Sequence, residues 1–295
     1  MLRQRLITGP LLILLVLGVV FLDDHLEAGC CELASRLPRG FVLYVFCSVL
    51  SVCIAREVSA FATAVGMRTN ATIAAVCAWL ALTGVALGGW SSSTTDGLTA
   101  IMTALAACFA LPMLAVGLSR ETRGSLALVG STLVAAIYGG VLLGFWLLLR
   151  DQHSAWFLVA ALLTTKSSDI GAYAVGCTIG RHKLIPWLSP AKSWEGLVGG
   201  IATSAIVAAS FAHFGSASVG SADQLPVWFA TLVGALLGLV GQLGDLCESA
   251  LKRDAGAKDS GNILPGMGGA LDVLDSPLLA GPALWWLLRF TPAMS

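Results

Sequence analysis

The stretch L-A-L-V-G-S-T-L-V-A-A-I-Y-G-G-V-L-L-G-F-W-L-L-L, Leu126–Leu149, contains no charged side chain and decides the fold class. A bilayer hydrocarbon core of about 30 Å takes roughly 20 residues of helix to cross. Working outward, eight more apolar segments flank it, near Leu6–Leu22, Phe41–Ala55, Ala71–Trp90, Leu98–Leu118, Ala155–Gly176, Leu197–Phe214, Val227–Leu251 and Ser276–Leu288. The second is short, and the last contains Pro277 and Pro282. Backbone polar groups cannot stay open in lipid, and these runs are too long and too uniformly apolar for barrel strands. The expected fold is therefore all-α, a polytopic integral membrane protein of about nine transmembrane helices.

Composition agrees. Apolar residues make up 57% of the chain and charged residues 12%, against roughly 45–50% and 25% in an average soluble domain. There are too few charges to make a soluble skin, so lipid takes its place. A net charge of zero gives no reason to expect nucleic-acid binding. The eight cysteines (Cys30, Cys31, Cys47, Cys53, Cys77, Cys108, Cys177 and Cys247) lie mostly in apolar runs and are never spaced C-x-x-C. They read as small buried hydrophobes. Arg3 and Arg5 before the run Leu11–Leu22 imitate a secretory leader, but Asp23 and Asp24 follow with no small-residue cleavage pattern. The segment is expected to be an uncleaved first span.

Short cytoplasmic loops retain Lys and Arg. With the amino terminus inside, the inner loops hold Arg3, Arg5, Arg56, Arg68, Arg120, Arg123, Arg181, Lys183, Lys192, Lys252, Arg253 and Lys258, leaving Arg36, Arg39, Arg150 and Arg289 outside. A span miscounted midway would switch every later loop, so the count and the orientation support each other. Residues 1–150 read as amino-terminal transmembrane helices, and residues 151–295 as carboxy-terminal helices carrying the chemistry in two inner loops, Gly180–Gly196 and Lys252–Asp275. No internal repeat is visible, which weakens the case for a transporter of inverted halves. The pairs Gly140/Gly144, Gly196/Gly200 and Gly234/Gly238 suit close helix packing.

The eighth segment ends with Gln242, Asp245, Glu248, Ser249 and Lys252. Spacings of three and four put the last four of these along one side of a helix. In the loop that follows, Lys252, Arg253 and Lys258 offer positive charge to phosphate oxygens. Gly261, Gly266, Gly268 and Gly269 allow close backbone approach to a ligand. Asp259, Asp272 and Asp275 are hard oxygen ligands suited to Mg²⁺, and Asp245, deeper in the eighth segment, reads as a functional residue. Asp169 falls inside a span beside Lys166, where an ionisable residue is a functional candidate by default.

These residues carry a family resemblance. The stretch from Ser249 to Asp275 is similar to the pattern S-x-L-K-R-x4-K-D-x-G-x2-L-P-x-H-G-G-L-x-D-R-x-D of the phosphatidate cytidylyltransferases, the CDP-diacylglycerol synthases. It matches at Ser249, Lys252, Arg253, Lys258, Asp259, Gly261, Leu264, Pro265, Gly268, Gly269, Asp272 and Asp275. Met267, Ala270 and Val273 stand where the family has His, a larger apolar residue and Arg. Asp169 before G-A-Y-A-V-G, and G-R-H-K-L-I-P-W-L-S-P-A-K-S-W-E-G over Gly180–Gly196, resemble a second family motif, with Ala191 and Ser193 in place of Lys and Thr. The resemblance is strongest over Ser167–Gly200 and Gly241–Leu279; the first 150 residues match mainly in hydropathy.

The resemblance implies attack by the phosphate of phosphatidate on the α-phosphorus of CTP, giving CDP-diacylglycerol and pyrophosphate. Lys252, Arg253, Lys258 and Asp259 would carry catalysis. Asp169, Arg181, Lys183, Lys192, Ser249, Gly268 and Gly269 would bind substrate, and Asp245, Asp259, Asp272 and Asp275 would hold Mg²⁺. The partners expected are CTP, a lipid phosphate and membrane lipid, with no nucleic acid, and a homodimer is an open assembly state. The expected location is a bacterial inner membrane with the site facing the cytoplasm. A phosphate monoester, with a second pKa of about 6, is already largely dianionic at neutral pH. It needs no general base, so Met267 in place of His is chemically tolerable. The alternatives are transfer to a different lipid phosphate, an ion-coupled transporter built on Asp169, Lys166 and Asp245, and an inactive scaffold.

Overall fold

The computed structural model describes residues 2–27, 37–215 and 223–290, with side chains described for 7–27, 37–215 and 223–289. Cys30, Cys31, Arg36, the side chains of Arg3 and Arg5, and the segment Ser216–Ala222 lie outside the described residues. The chain forms α1 (Leu2–Glu27), α2 (Phe41–Ala64), α3 (Ala71–Trp90), α4 (Thr94–Ser119), α5 (Ser125–Ala136), a π-helical segment (Ile137–Leu142), α6 (Leu143–Gln152) and α7 (Ala155–Ile179). A hairpin, β1 (Lys183–Ile185) and β2 (Ser189–Ser193), precedes α8 (Trp194–Phe214), α9 (Val227–Asp254) and α10 (Ala270–Phe290). The protein is an all-α polytopic membrane protein.

Seven helices among the described residues are long and apolar enough to cross a membrane: α1 from Ile7, α2, α3, α4, the continuous rod from α5 to α6, α8 and α9. The expected count of about nine adds α7 and α10. Those two carry Lys166 and Asp169, or Asp272, Asp275 and two prolines, along their length. Helix α2 runs on to Ala64, past the expected end at Ala55. Arg56 stays exposed there, and Glu57 is buried against partners described below.

Two compact units make up the chain. The first comprises Met1–Asp151 and Leu251–Val273. Within it α3 packs on α2, α4 and α5. The π-helical segment lies where Gly139 and Gly140 meet neighbouring backbone: a Cβ there would fall 2.9 Å from the Ser51 carbonyl oxygen and 2.6 Å from that of Ala78. This is small-residue packing of the kind membrane helices use. Arg150, with no solvent exposure, pairs with Asp23 at 2.6 Å and with Glu27. Asp23 Oδ1 also accepts the Val42 N–H of α2 at 3.1 Å. A buried guanidinium needs such partners.

The second unit comprises Gln152–Ala250 and Leu274–Ser295. Helices α7 and α8 pack side by side, with Gly171 against Thr203 and Gly200 2.7 Å, measured from its would-be Cβ, from the Ser168 carbonyl. Gly234 and Gly238 bring α9 onto Ala208 and Ser204 of α8. Ser154 caps α7 and Ser193 caps α8, each side chain accepting a first-turn N–H. The loop Gly180–Gly196 is largely hairpin, with Lys183 opposite Ser193 and Ile185 opposite Ser189.

Candidate active site

The second unit gathers charge around Lys166. Its ammonium lies 2.8 Å from Asp275 Oδ1 and 3.4 Å from Asp169 Oδ2. Asp169 lies one helical turn on from Lys166, the spacing that makes helix neighbours. Gln242 Nε2 donates to Asp169 Oδ1 at 3.2 Å, and Ser276 Oγ donates to Oδ2 at 3.4 Å. On β2, Lys192 pairs with Asp245 Oδ2 at 2.7 Å and donates to the Gln242 carbonyl at 3.3 Å. Ser249 Oγ donates to Asp245 Oδ1 at 3.4 Å. Gly244 lets α9 close on α10, since a Cβ there would collide with the Asp275 carbonyl oxygen. Asp245 and Asp275 are thereby brought together.

Asp245, Glu248 and Asp275 each offer one carboxylate oxygen within 4.8 Å of the others. Lys166 pairs with Asp169 and Asp275, and Lys192 with Asp245, while the grouped oxygens of Asp245, Glu248 and Asp275 are close enough to share one cation. The donors are hard oxygens, the kind Mg²⁺ takes. Glu248 enters this group although the sequence reading gave it no metal role; its spacing of three from Asp245 was the available signal.

The first unit organises the glycine-rich loop. Helix α9 ends at Asp254, and Gly256, at φ 64°, closes it with N–H groups returned to Arg253 and Lys252. Leu264–Pro265–Gly266–Met267 make a turn, with Gly266 at φ 80° and Met267 N–H donating to the Leu264 carbonyl at 3.0 Å. Asp272 Oδ2 accepts from Ser260 N at 2.7 Å, Ser260 Oγ at 2.8 Å and Gly269 N at 2.8 Å. Its Oδ1 accepts from Lys252 Nζ at 2.8 Å. The Gly269 amide is therefore aimed at a protein carboxylate, and the Gly268 amide donates to the Leu264 carbonyl at 3.0 Å.

Other expected residues lie at exposed positions. Arg253, Lys258 and Asp259 are exposed, with Arg253 Nη1 donating to the Ala257 carbonyl at 3.2 Å. Arg181 and Lys183 are exposed in and beside the hairpin, where the His182 amide and ring meet Glu195. Asp272 is tied to Lys252 and Ser260. Sequence reasoning missed Glu57 and Ser260. Glu57 accepts the Ala270 and Leu271 amides, each at 2.8 Å. Its signal was an acidic residue one position beyond Arg56, where the second apolar segment stopped five residues short of a full crossing.

The profile of the cytidylyltransferase family matches residues 3–291. The chain belongs to that family. Among relatives, the phosphatidate cytidylyltransferase of Bacillus subtilis (strain 168) is 41% identical over 162 residues, 54% of this chain and 58% of that protein. The phosphatidate cytidylyltransferase of Mycobacterium tuberculosis (strain ATCC 25618 / H37Rv) is 36% identical over 168 residues, 56% of this chain and 48% of that protein. The uncharacterized protein YnbB of Escherichia coli (strain K12) is 37% identical over 172 residues, 53% of this chain and 54% of that protein. The chain spans about half the length of the curated relatives it matches.

Proposed function

We propose that the protein transfers a cytidylyl group from CTP to phosphatidate at the cytoplasmic face of a bacterial inner membrane, giving CDP-diacylglycerol and pyrophosphate. The observation that carries this reading is the centre of Asp245, Glu248 and Asp275 set between Lys166 and Lys192 in a chain of the cytidylyltransferase family. An oxygen of the lipid phosphate forms a bond to the α-phosphorus of CTP, and the bond from that phosphorus to the β-phosphate's bridging oxygen breaks. Such displacement asks for charge neutralisation and in-line positioning more than covalent help.

Asp245, Glu248 and Asp275 would hold Mg²⁺, and Asp259 of the exposed loop stays a further candidate ligand. Bound there, the cation supplies charge neutralisation for the triphosphate and the departing pyrophosphate. Lys166 and Lys192 fix the carboxylates in orientation. Lys252, Arg253 and Lys258, with Arg181 and Lys183 on the hairpin, neutralise phosphate oxygens. Asp169 orients Lys166, and Ser249 orients Asp245. The lipid tails stay in the bilayer while CTP arrives from water.

The deciding experiment incubates purified protein with radiolabelled CTP and phosphatidate, with Mg²⁺ or with chelator, and identifies the products. Labelled CDP-diacylglycerol and pyrophosphate in the Mg²⁺ arm alone are expected. No CTP-dependent product under any metal condition, with solute movement across vesicles abolished by Asp169→Asn, would replace this reading with a transporter.

A further inference from the structure

Glu57 is a carboxylate from the middle of the amino-terminal half, buried to 5% exposure, that the chemistry above does not use. It reaches across more than 200 residues of sequence to the glycine-rich loop, both parts lying in the first unit. Oε1 accepts the Ala270 amide at 2.8 Å, Oε2 accepts the Leu271 amide at 2.8 Å, and Ser260 Oγ lies 2.9 Å from Oε2. Gly269 is pressed against it so closely that a Cβ would collide with the Glu57 carboxylate and the Ser260 hydroxyl.

Capping alone does not account for a charge in this place. Asp272 already accepts the Gly269 amide at the start of α10, and a short polar side chain next to a helix is the ordinary solution for first-turn amides. A buried carboxylate is costly to desolvate and persists where its hydrogen bonds are well made. The distinguishing feature is Ser260. Its hydroxyl lies 2.9 Å from Glu57 and 2.8 Å from Asp272 Oδ2, yet it has one hydrogen to give. It therefore serves one carboxylate at a time and couples the two. Asp272 in turn holds the Lys252 ammonium at 2.8 Å. The connected path runs Glu57, Ser260, Asp272, Lys252.

We propose that Glu57 is a positioning residue for cytidylyl transfer, fixing the Lys252 ammonium through Ser260 and Asp272. This rests on the cytidylyl-transfer reading given above. Glu57 touches no substrate. It holds the first turn of α10 and the Ser260 hydroxyl in one arrangement, which leaves Asp272 one orientation in which to bind Lys252.

The test compares wild type, Glu57→Gln, Ser260→Ala and the double variant, each purified in detergent and checked for folding by its thermal midpoint. Glutamine keeps the size but must turn an N–H₂ toward an amide donor. It should lower kcat roughly tenfold or more and leave KM for phosphatidate within about twofold. Ser260→Ala should lower kcat in the same direction. The double variant should lose little beyond Glu57→Gln, because both changes cut one path. A second readout does not depend on turnover: modification of Lys252 by an amine-reactive ester, followed by mass spectrometry, should be several-fold faster in either single variant, while exposed Lys258 reacts as in wild type. If Glu57→Gln does not fold, Ser260→Ala carries the same two readouts. Wild-type kcat in both variants, unchanged Lys252 labelling, or multiplied losses in the double variant would overturn the proposal. A wild type that makes no CDP-lipid would sink the cytidylyl-transfer reading instead, and the labelling ratio would still judge the path from Glu57 to Lys252.

Discussion

Lys166 of α7 and Asp275 of α10 form an ion pair of 2.8 Å between residues 109 apart in sequence. An ionisable residue within membrane helices is expensive unless it faces the bundle interior and finds a partner. Lys166 finds two, Asp275 and Asp169. Asp275 has a further neighbour set in Asp245 and Glu248. Mutual repulsion among those three carboxylates favours anything that brings positive charge.

Asp275→Asn should therefore raise the Mg²⁺ concentration for half-maximal activity about tenfold or more, since it removes charge while keeping size and one oxygen. Lys166→Met should lower activity at every Mg²⁺ concentration and lower the thermal midpoint, because it leaves Asp275 and Asp169 without their ammonium. A Mg²⁺ titration of product formation for the three proteins checks both outcomes. An unchanged requirement in Asp275→Asn would remove that residue from the cation set.

Three glycines test the packing that brings the site residues together. Gly244→Ala would drive a methyl into the Asp275 carbonyl, and Gly269→Ala would drive one into Ser260 and Glu57. Each should destabilise by about 1–3 kcal/mol, the ordinary cost of overpacking. Gly130, in α5, has nothing within 4 Å of a would-be Cβ. Gly130→Ala should be neutral or stabilising by up to ~1 kcal/mol through helix propensity. Thermal midpoints in detergent separate the three.

Much of this was legible beforehand, for physical reasons. Long charge-free runs announce helices whatever their neighbours, so α3 begins and ends where hydropathy placed it, at Ala71 and Trp90. Asp169 and Asp245 stood out because membrane segments tolerate few carboxylates. What hid was the partner of each charge. The aspartates of the loop looked equivalent in sequence, yet Asp275 meets Asp245 and Glu248 while Asp272 turns to Ser260, Gly269 and Lys252. That choice depends on helix packing and turn geometry. The glycines of the loop suggested amides aimed at a ligand, whereas the Gly269 amide is taken by Asp272. Glu57 hid for the opposite reason: the charge that made it informative also cut its apolar segment short.

Stability at acid pH should depend on the pair His153–Asp223 in the second unit. Asp223 lies 2.7 Å from His153 Nδ1 and accepts the Ser154 amide at 2.8 Å. Burial alone would push its carboxyl up, but the hydrogen bonds from His153 and Ser154 outweigh it and hold the group below the ordinary aspartate range. A carboxyl depressed on folding contributes stability above its unfolded value, and that contribution is lost as pH falls through the folded one. Asp223→Asn should thus be less stable than wild type near neutral pH, and the difference should shrink and vanish as pH falls through the depressed folded value of the Asp223 carboxyl. Thermal midpoints measured across pH 2–7 give the comparison; a gap that persists at the acid end would assign the effect to packing.

The same pair bears on whether α7 crosses the membrane, although its hydropathy falls short of the seven helices that qualify. His153 stands just before α7, and Asp223 lies between α8 and α9. Their contact at 2.7 Å ties the start of α7 to the residues just before α9. At the other end, Ser193 caps α8 while the hairpin joins it to the end of α7 at Ile179. Helix α8 is long and apolar enough to span, and α7 packs antiparallel to it, with Gly176 near Gly196 and Thr164 near Ser204, so α7 is expected to cross with it. The orientation expected from the Lys/Arg distribution has Arg181, Lys183 and Lys192 facing the cytoplasm. A reporter fused after Gly261 should then be cytoplasmic, and one placed within Ser216–Asp223, of which Ser216–Ala222 lies outside the described residues, should be on the outer face. Cysteines introduced at Gln152 and at Arg181 should react with a membrane-impermeant thiol reagent from opposite sides of sealed vesicles. Labelling of both from one side would mean that α7 does not cross, and with it the nine-span arrangement and the inside amino terminus would fall together.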